Sequence, residues 1–574
     1  MRKKFSTLYT VLAGLLLVIA FNVIASFFYT RFDLTAEKRY TLSQATVDLL
    51  DELDDYVYVK VMLTGKDLPM SFQRLKNETK EMLDEFAARN KYVEYVFIDP
   101  TKAGNTDDVR AAYSELAEKG LMPTDLRVNT KSGSERLIVF PGALITYKDR
   151  EIPVHLLQSQ MGIPSEEVLN NSIQNLEYNL SNAIRKLTSV RKSSIAIIEG
   201  YGGFERDYYI SFDAMLREYY SVSYVNINGQ LNSLADIRGR GEDTAKMTNK
   251  YSAIIIPGPT SAVPEKDKFV IDQYIMRGGK VLWLVEPVYV TMDSLQNSAT
   301  TLAVNNNTNL QDQLYNYGVR IEPQLVMDMQ CLSIPLTTGV IGGRPQIEFF
   351  SWPFFPVLTP MSSHPIVKNL NAIKTEFISP ISKIEIPNIR HTTLLTSSQY
   401  SKIFAVPDVV SLELLTRKPD PALFNKQNIP VAMLVEGTFR SLYVNRIPPS
   451  LRDNAMMDFL PESKPTSMVV VTDADMIKNQ FRAGDGVPLN MGYDQYTSNQ
   501  FGNPEFFLNV MNYLCDDTNL ISVRSRELKL RVLDVAKIEK NSLKYQLINL
   551  ILPSLLVIIC GVIYSIIRKY KYSK

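Results

Sequence analysis

Asp473 and Asp475, in the stretch VTDAD, stand two residues apart at the end of an apolar run. Paired carboxylates of this kind can hold a divalent metal, but two without further oxygen ligands are equally served by turn formation and helix capping. Gly200, Gly202 and Gly203 in GYGG follow another apolar run, where a phosphate-binding loop would stand. Neither GxGxxG nor GxxxxGK[ST] accompanies them, so a plain turn is expected and the chain carries no nucleotide engine of its own. His364, beside Ser362 and Ser363 in SSHPI, has the residue types of a hydrolase fragment. Pro365 and the lack of a nucleophile elbow make this a turn as well. No catalytic residue, cofactor site or metal site is expected from these residues.

These residues need a scaffold, and the chain's length supplies several. A chain of 574 residues exceeds one core and suggests three or four units. Its apolar residues gather at the two ends. Residues 9–28 (YTVLAGLLLVIAFNVIASFF) and 547–567 (LINLILPSLLVIICGVIYSII) are each long enough to cross a bilayer, with Pro553 kinking the second or lying near its start. The first is expected to be an uncleaved anchor, because its apolar part exceeds a signal peptide's and no small-x-small site follows. Arg2, Lys3 and Lys4 precede it, and Arg568, Lys569, Lys571 and Lys574 follow the second span. Residues 1–8 and 568–574 are therefore expected in the cytoplasm, with the bulk of the chain outside. Taking those seven basic residues from 62 leaves 55 against 61 acidic ones, a net charge of −6. That balance excludes a general nucleic-acid binder. Neither span carries an ionisable residue, so both read as anchors and not as a conduit. Of three cysteines, Cys560 lies in a span, and Cys331 and Cys515 are expected as separate thiols.

Between the spans the reading is α/β. After Ser43, a helix cap, the order over residues 31–160 is strand, helix, strand, helix and a hairpin at 137–147 and 152–157, the order of a thioredoxin-like domain. Redox chemistry is excluded, since the place for Cys-x-x-Cys reads GKDLPMSF. Within 161–190, Leu169, Ile173, Leu176, Leu180, Ala183 and Leu187 form a heptad-like seam on one helix. It predicts either a linker helix lying on one domain or a surface for self-association. Residues 191–300 alternate continuous apolar strands with helices, which predicts a parallel sheet covered on both faces. Polar residues 291–309 are expected as a mobile loop or an insertion. Residues 301–520 continue this region with more strands, including buried ones at 431–439 and 467–475. The stretch 521–546, beginning ISVRSRELKLRVL, alternates like a strand on its way to the second span.

The layout of 193–287 resembles the flavodoxin-like sheet of class I glutamine amidotransferases. Those enzymes require an elbow cysteine and a His-x-Glu pair, and neither is present. A second resemblance covers essentially the whole chain. It rests on FDLTAEKRYTLS (32–43), YSAIIIPGP (251–259), GGKVLWLVEP (278–287), HPIVKNL (364–370), IPVAMLVEGTFRS (429–441), VVVTDADMIKNQF (469–481), GNPEFFLNVMNYLCDD (502–517) and RSRELKLRVLD (524–534). This set resembles the GldG family, the auxiliary or "substrate-binding" component of a gliding-motility ABC transporter, with a central unit similar to the GIFT-type domain of an intraflagellar transport protein. The resemblance implies a membrane permease and a cytoplasmic ATPase as partners, a place in the bacterial inner membrane, and a role in gliding and protein secretion. The sequence itself carries no signature of a small-solute cleft. A membrane-tethered solute or polysaccharide receptor and a degenerate amidotransferase are the alternatives. Arg31, Lys38, Arg39 and Tyr40 are candidates for a junction at the membrane exit, where Tyr40 sits at headgroup depth and the cations meet phosphates. Arg524, Arg526, Lys529 and Arg531 are candidates for a stalk returning the outer part to the second span.

Overall fold

The computed structural model describes residues 41–525, apart from 66–67, 103, 131–132, 190–191, 239–245, 417–418, 449–457, 483 and 517, then 541–572, with isolated positions in 13–20 and at 538. It divides into two units, Met1–Arg526 and Glu527–Lys574.

The first unit opens on a short helix, Gln44–Asp51, whose first turn is closed by Ser43: the Ser43 side chain accepts from Thr46 N at 3.2 Å. Strand Val57–Val61 follows, then helix Met70–Arg89, strand Val93–Phe97 and helix Thr106–Glu118. The expected strand 137–147 is two strands. Pro141 lacks an N–H and breaks the ladder there. Gly133–Val139 pairs back with Thr124–Thr130 as a separate hairpin, while Gly142–Tyr147 pairs with Arg150–His155 in the main sheet. Its order is Val93–Phe97, Val57–Val61, Gly142–Tyr147, Arg150–His155, with the first pair parallel and the others antiparallel.

The seam residues lie on two helices, Ser165–Gln174 and Leu176–Thr188, joined at Asn175. All six are buried in the core of this first domain, with Leu180 at 0% exposure. The seam is thus spent within the chain and is not a surface for self-association. The opposite side of Leu176–Thr188 carries Tyr178 into the next core, so the helix is glued to both domains.

That next domain is built on seven strands. Five run parallel in the order Ser221–Asn226, Ser194–Glu199, Ala253–Pro257, Lys280–Leu284, Thr466–Val471, and two antiparallel strands, Pro430–Gly437 and Ile389–Thr396, complete one edge. The apolar runs are continuous because both faces are covered. Ile195, Ile197, Leu282 and Leu284 face helices Ile210–Tyr219 and Asn503–Cys515. Ala196, Ile198, Val281 and Trp283 face Glu265–Met276 and Gln311–Asn316. Of the two readings of residues 291–309, the mobile loop fails, because the stretch is structured. They form helix Met292–Asn297 and strand Thr300–Asn305, which pairs with Val288–Tyr289 and Asp408–Ser411 and buries Ala303. A long hairpin, Cys331–Ile341 with Arg344–Leu358, adds a smaller core around Trp352 and Phe354.

The second unit's described part is one helix, Ser542–Tyr572, continuous through Pro553. Its apolar face is wholly exposed, and it is long and apolar enough to cross a membrane. The expected first span lies largely outside the described residues.

Candidate functional site

In a twisted parallel sheet, loops at the carboxyl ends of the strands converge, and ligands bind there. Here that end is charged. Leu284 pairs with Val471, so Glu286 and Asp473, each two residues further on, come out side by side. Asp475 completes a triad in which one carboxylate oxygen from each residue lies within 4.8 Å of the others. Asp473 is 1% exposed, and its Oδ2 accepts from Glu376 N at 2.8 Å. Its Oδ1 has no hydrogen-bond partner among the described residues. Ala474 N donates to Glu286 Oε1 at 3.1 Å. Lys478 pairs with Asp475 and lies 4.0 Å from the Phe204 ring centroid, while Lys374 Nζ is 3.7 Å from Glu376 Oε1.

Crowding sets the electrostatics. Burial and the charge of Asp475 push Glu286 up to about 8. Burial, Asp475, Glu286 and Glu376 push Asp473 well above the carboxylate range. The group opens on a cavity of about 350 Å³ whose walls include Phe204, Tyr208, Tyr289 and Phe481. Turn formation and capping were the expected roles of Asp473 and Asp475; in the fold Asp475 lines the cavity with Glu286, and Asp473 lies buried against them. Glu286, Glu376, Lys374 and Lys478 were not legible as site residues.

GYGG is a turn, as its sequence predicts. It lies where the strand order reverses, between Ser194–Glu199 and Ala253–Pro257, and lines a cavity of about 390 Å³. The physical reason for glycine is close approach: a Cβ on Gly203 would meet Pro257 O at 2.7 Å, and Gly202 has φ +70°.

Residues 192–510 match the profile described as "ABC-type uncharacterized transport system", and residues 36–146 match a domain of unknown function, DUF7088. The first match spans more than half of the chain. The chain belongs to this ABC transport auxiliary family. No curated protein matches the chain significantly. Among solved structures it is similar to the "mmIFT52 N-terminal domain" at 12% identity, covering 56% of this chain and 97% of that one with a TM-score of 0.31. A rhamnosidase from Novosphingobium sp. PP1Y aligns at 13% identity over 48% of this chain and 31% of its own, with a TM-score of 0.11. Both scores are too low to bear on the fold.

Of the residues singled out in the sequence of this ABC transport auxiliary chain, Arg31, Lys38, Arg39, Tyr40, Arg526, Lys529 and Arg531 lie outside the described residues. Arg524 is described, and it is not on an alternating strand. Residues Leu520–Ser525 form a 3-10 turn that buries Arg524 to 3% exposure. Its Nε donates to Pro365 O at 3.0 Å, its Nη2 to Lys368 O at 2.5 Å, and its guanidinium stacks 5.1 Å from the Tyr178 centroid. Arg524 thus clamps the HPIVKNL turn to the linker helix.

His364 opens that turn. Ile366 N donates to its Nδ1 at 3.4 Å, and its ring lies 5.1 Å from that of Tyr513. Burial holds its pKa below the ordinary value, with Glu436 opposing and Arg390 assisting. Between that lowered value and about 6.5 the unfolded chain binds more protons than the fold, so stability falls as pH drops below about 6.5. Urea unfolding at pH 7.5 and 5.5 should show a smaller acid loss in His364→Gln than in the wild type. Equal losses would remove His364 from the acid response.

Proposed function

We propose that the chain is a non-enzymatic auxiliary subunit of an ABC transporter complex, acting with a separate membrane permease and a cytoplasmic ATPase. The observation that carries this reading is the family assignment of residues 192–510, joined in one chain to the exposed apolar helix Ser542–Tyr572. In this reading the chain sits in the bacterial inner membrane with both termini cytoplasmic and its bulk periplasmic, and its output is gliding motility with associated protein secretion. Arg31, Lys38, Arg39 and Tyr40 form a junction at the membrane exit. Arg526, Lys529 and Arg531 begin a stiff connection on which a change in the permease reaches the outer domains.

Pull-down of the tagged chain from mild detergent should bring a permease and an ATPase with it. A chain that travels alone under conditions that keep other ABC complexes whole would sink the reading. Coupling is tested separately. A Gly/Ser insertion of about eight residues between Val535 and Asn541 should leave membrane insertion intact and abolish the response to ATP. Full function with that insertion would reduce the stalk to a tether.

A further inference from the structure

We infer that Glu286, Asp473 and Asp475 form a binding site for one hard divalent cation at the carboxyl end of the parallel sheet. Three observations converge. One carboxylate oxygen from each residue lies within 4.8 Å of the others. Oxygens this close can share one ion, because two ligands of a hard divalent cation stand at most about twice the metal–oxygen distance of roughly 2.0–2.6 Å apart.

The second observation is the unpartnered oxygen. Asp473 is 1% exposed, one of its oxygens is fixed by Glu376 N, and Oδ1 has no donor among the described residues. A buried carboxylate oxygen without a donor is costly, and a cation directly relieves that cost. The third is crowding: four carboxyl groups, Glu286, Glu376, Asp473 and Asp475, share this end of the sheet with two ammonium groups, Lys374 and Lys478. All-oxygen ligands select a hard cation over zinc or copper, and the adjoining cavity of about 350 Å³ has room for water to fill the remaining coordination positions.

The geometry is preset by the sheet. Glu286 and Asp473 project from adjacent parallel strands in fixed register, and Glu286 is held from Ala474 N. Lys478, paired with Asp475 and resting on Phe204, borders the site.

The test uses the full chain purified in detergent, stripped with EDTA and titrated with calcium chloride by calorimetry at pH 7.5. One saturable calcium per chain is expected. Asp473→Asn and Glu286→Gln should each weaken calcium binding by about tenfold or more. In EDTA, Asp473→Asn should melt no lower than the wild type, because it replaces a crowded buried carboxyl with a neutral group of the same shape. That melt separates loss of the site from loss of the fold. Absence of saturable calcium binding to the wild type would overturn the inference, as would wild-type affinity in a folded Asp473→Asn or Glu286→Gln variant.

Discussion

Replacing Asp272 with alanine is expected to destabilise the chain by about 3–5 kcal/mol, read from urea unfolding of the detergent-purified protein. Asp272 is fully buried on helix Glu265–Met276. Its Oδ1 accepts from Tyr317 Oη at 2.7 Å and Leu442 N at 3.0 Å; its Oδ2 accepts from Ser441 Oγ at 2.6 Å and Gln273 Nε2 at 3.0 Å. Burial still pushes its pKa above the carboxylate range, with these donors resisting. Alanine would strand four donors in a dry interior and leave a void. Asparagine keeps the shape but turns an NH2 toward donors that need an acceptor, so about 1–2 kcal/mol is expected for Asp272→Asn. Equal losses for the two variants would show that shape, not donor satisfaction, governs the site.

Arg524→Ala should cost about 2–4 kcal/mol and release the end of the first unit. The substitution frees Pro365 O and Lys368 O inside the protein and removes a cation from the face of Tyr178. Lysine cannot replace the planar fork that reaches two carbonyls at once, so Arg524→Lys should recover less than half of the loss. The expected signature is local: proteolysis after residue 516 should accelerate before global unfolding does. Unchanged proteolysis together with an unchanged urea midpoint would make the clamp ornamental.

The central sheet was legible because its strands are buried on both faces. AIIIP, KVLWL and TSMVVV are continuous apolar runs, and each is a parallel strand. Thr124–Thr130 was missed because TDLRVNT is mostly polar, and TTLAVN at 300–305 because it is half polar and stands in a polar stretch. Their pairing partners, not their composition, make them strands. The heptad spacing at 169–187 was legible as a seam but not its partner, since a buried stripe reads alike whether a second copy or the same chain covers it. The carboxylate cluster was the least legible. Glu286 and Ala474 are 188 positions apart, and only the register between their strands makes them neighbours. Arg524 misled for a related reason: a charged residue between apolar ones suggests an alternating strand, while two carbonyls from a distant turn draw it inside.

The insertion of Thr466–Val471 beside Lys280–Leu284 also governs how the chain is made. Gly279 and Thr466, bonded at the start of these strands, are 187 positions apart. At synthesis rates of roughly 5–20 residues per second, a ribosome needs on the order of ten to forty seconds to supply the missing neighbour. During that interval the nascent sheet ends on KVLWL, an apolar strand with unpaired backbone groups. Ribosome-bound chains that stop short of residue 466 would thus display a sticky edge, the kind of surface that a holding chaperone covers.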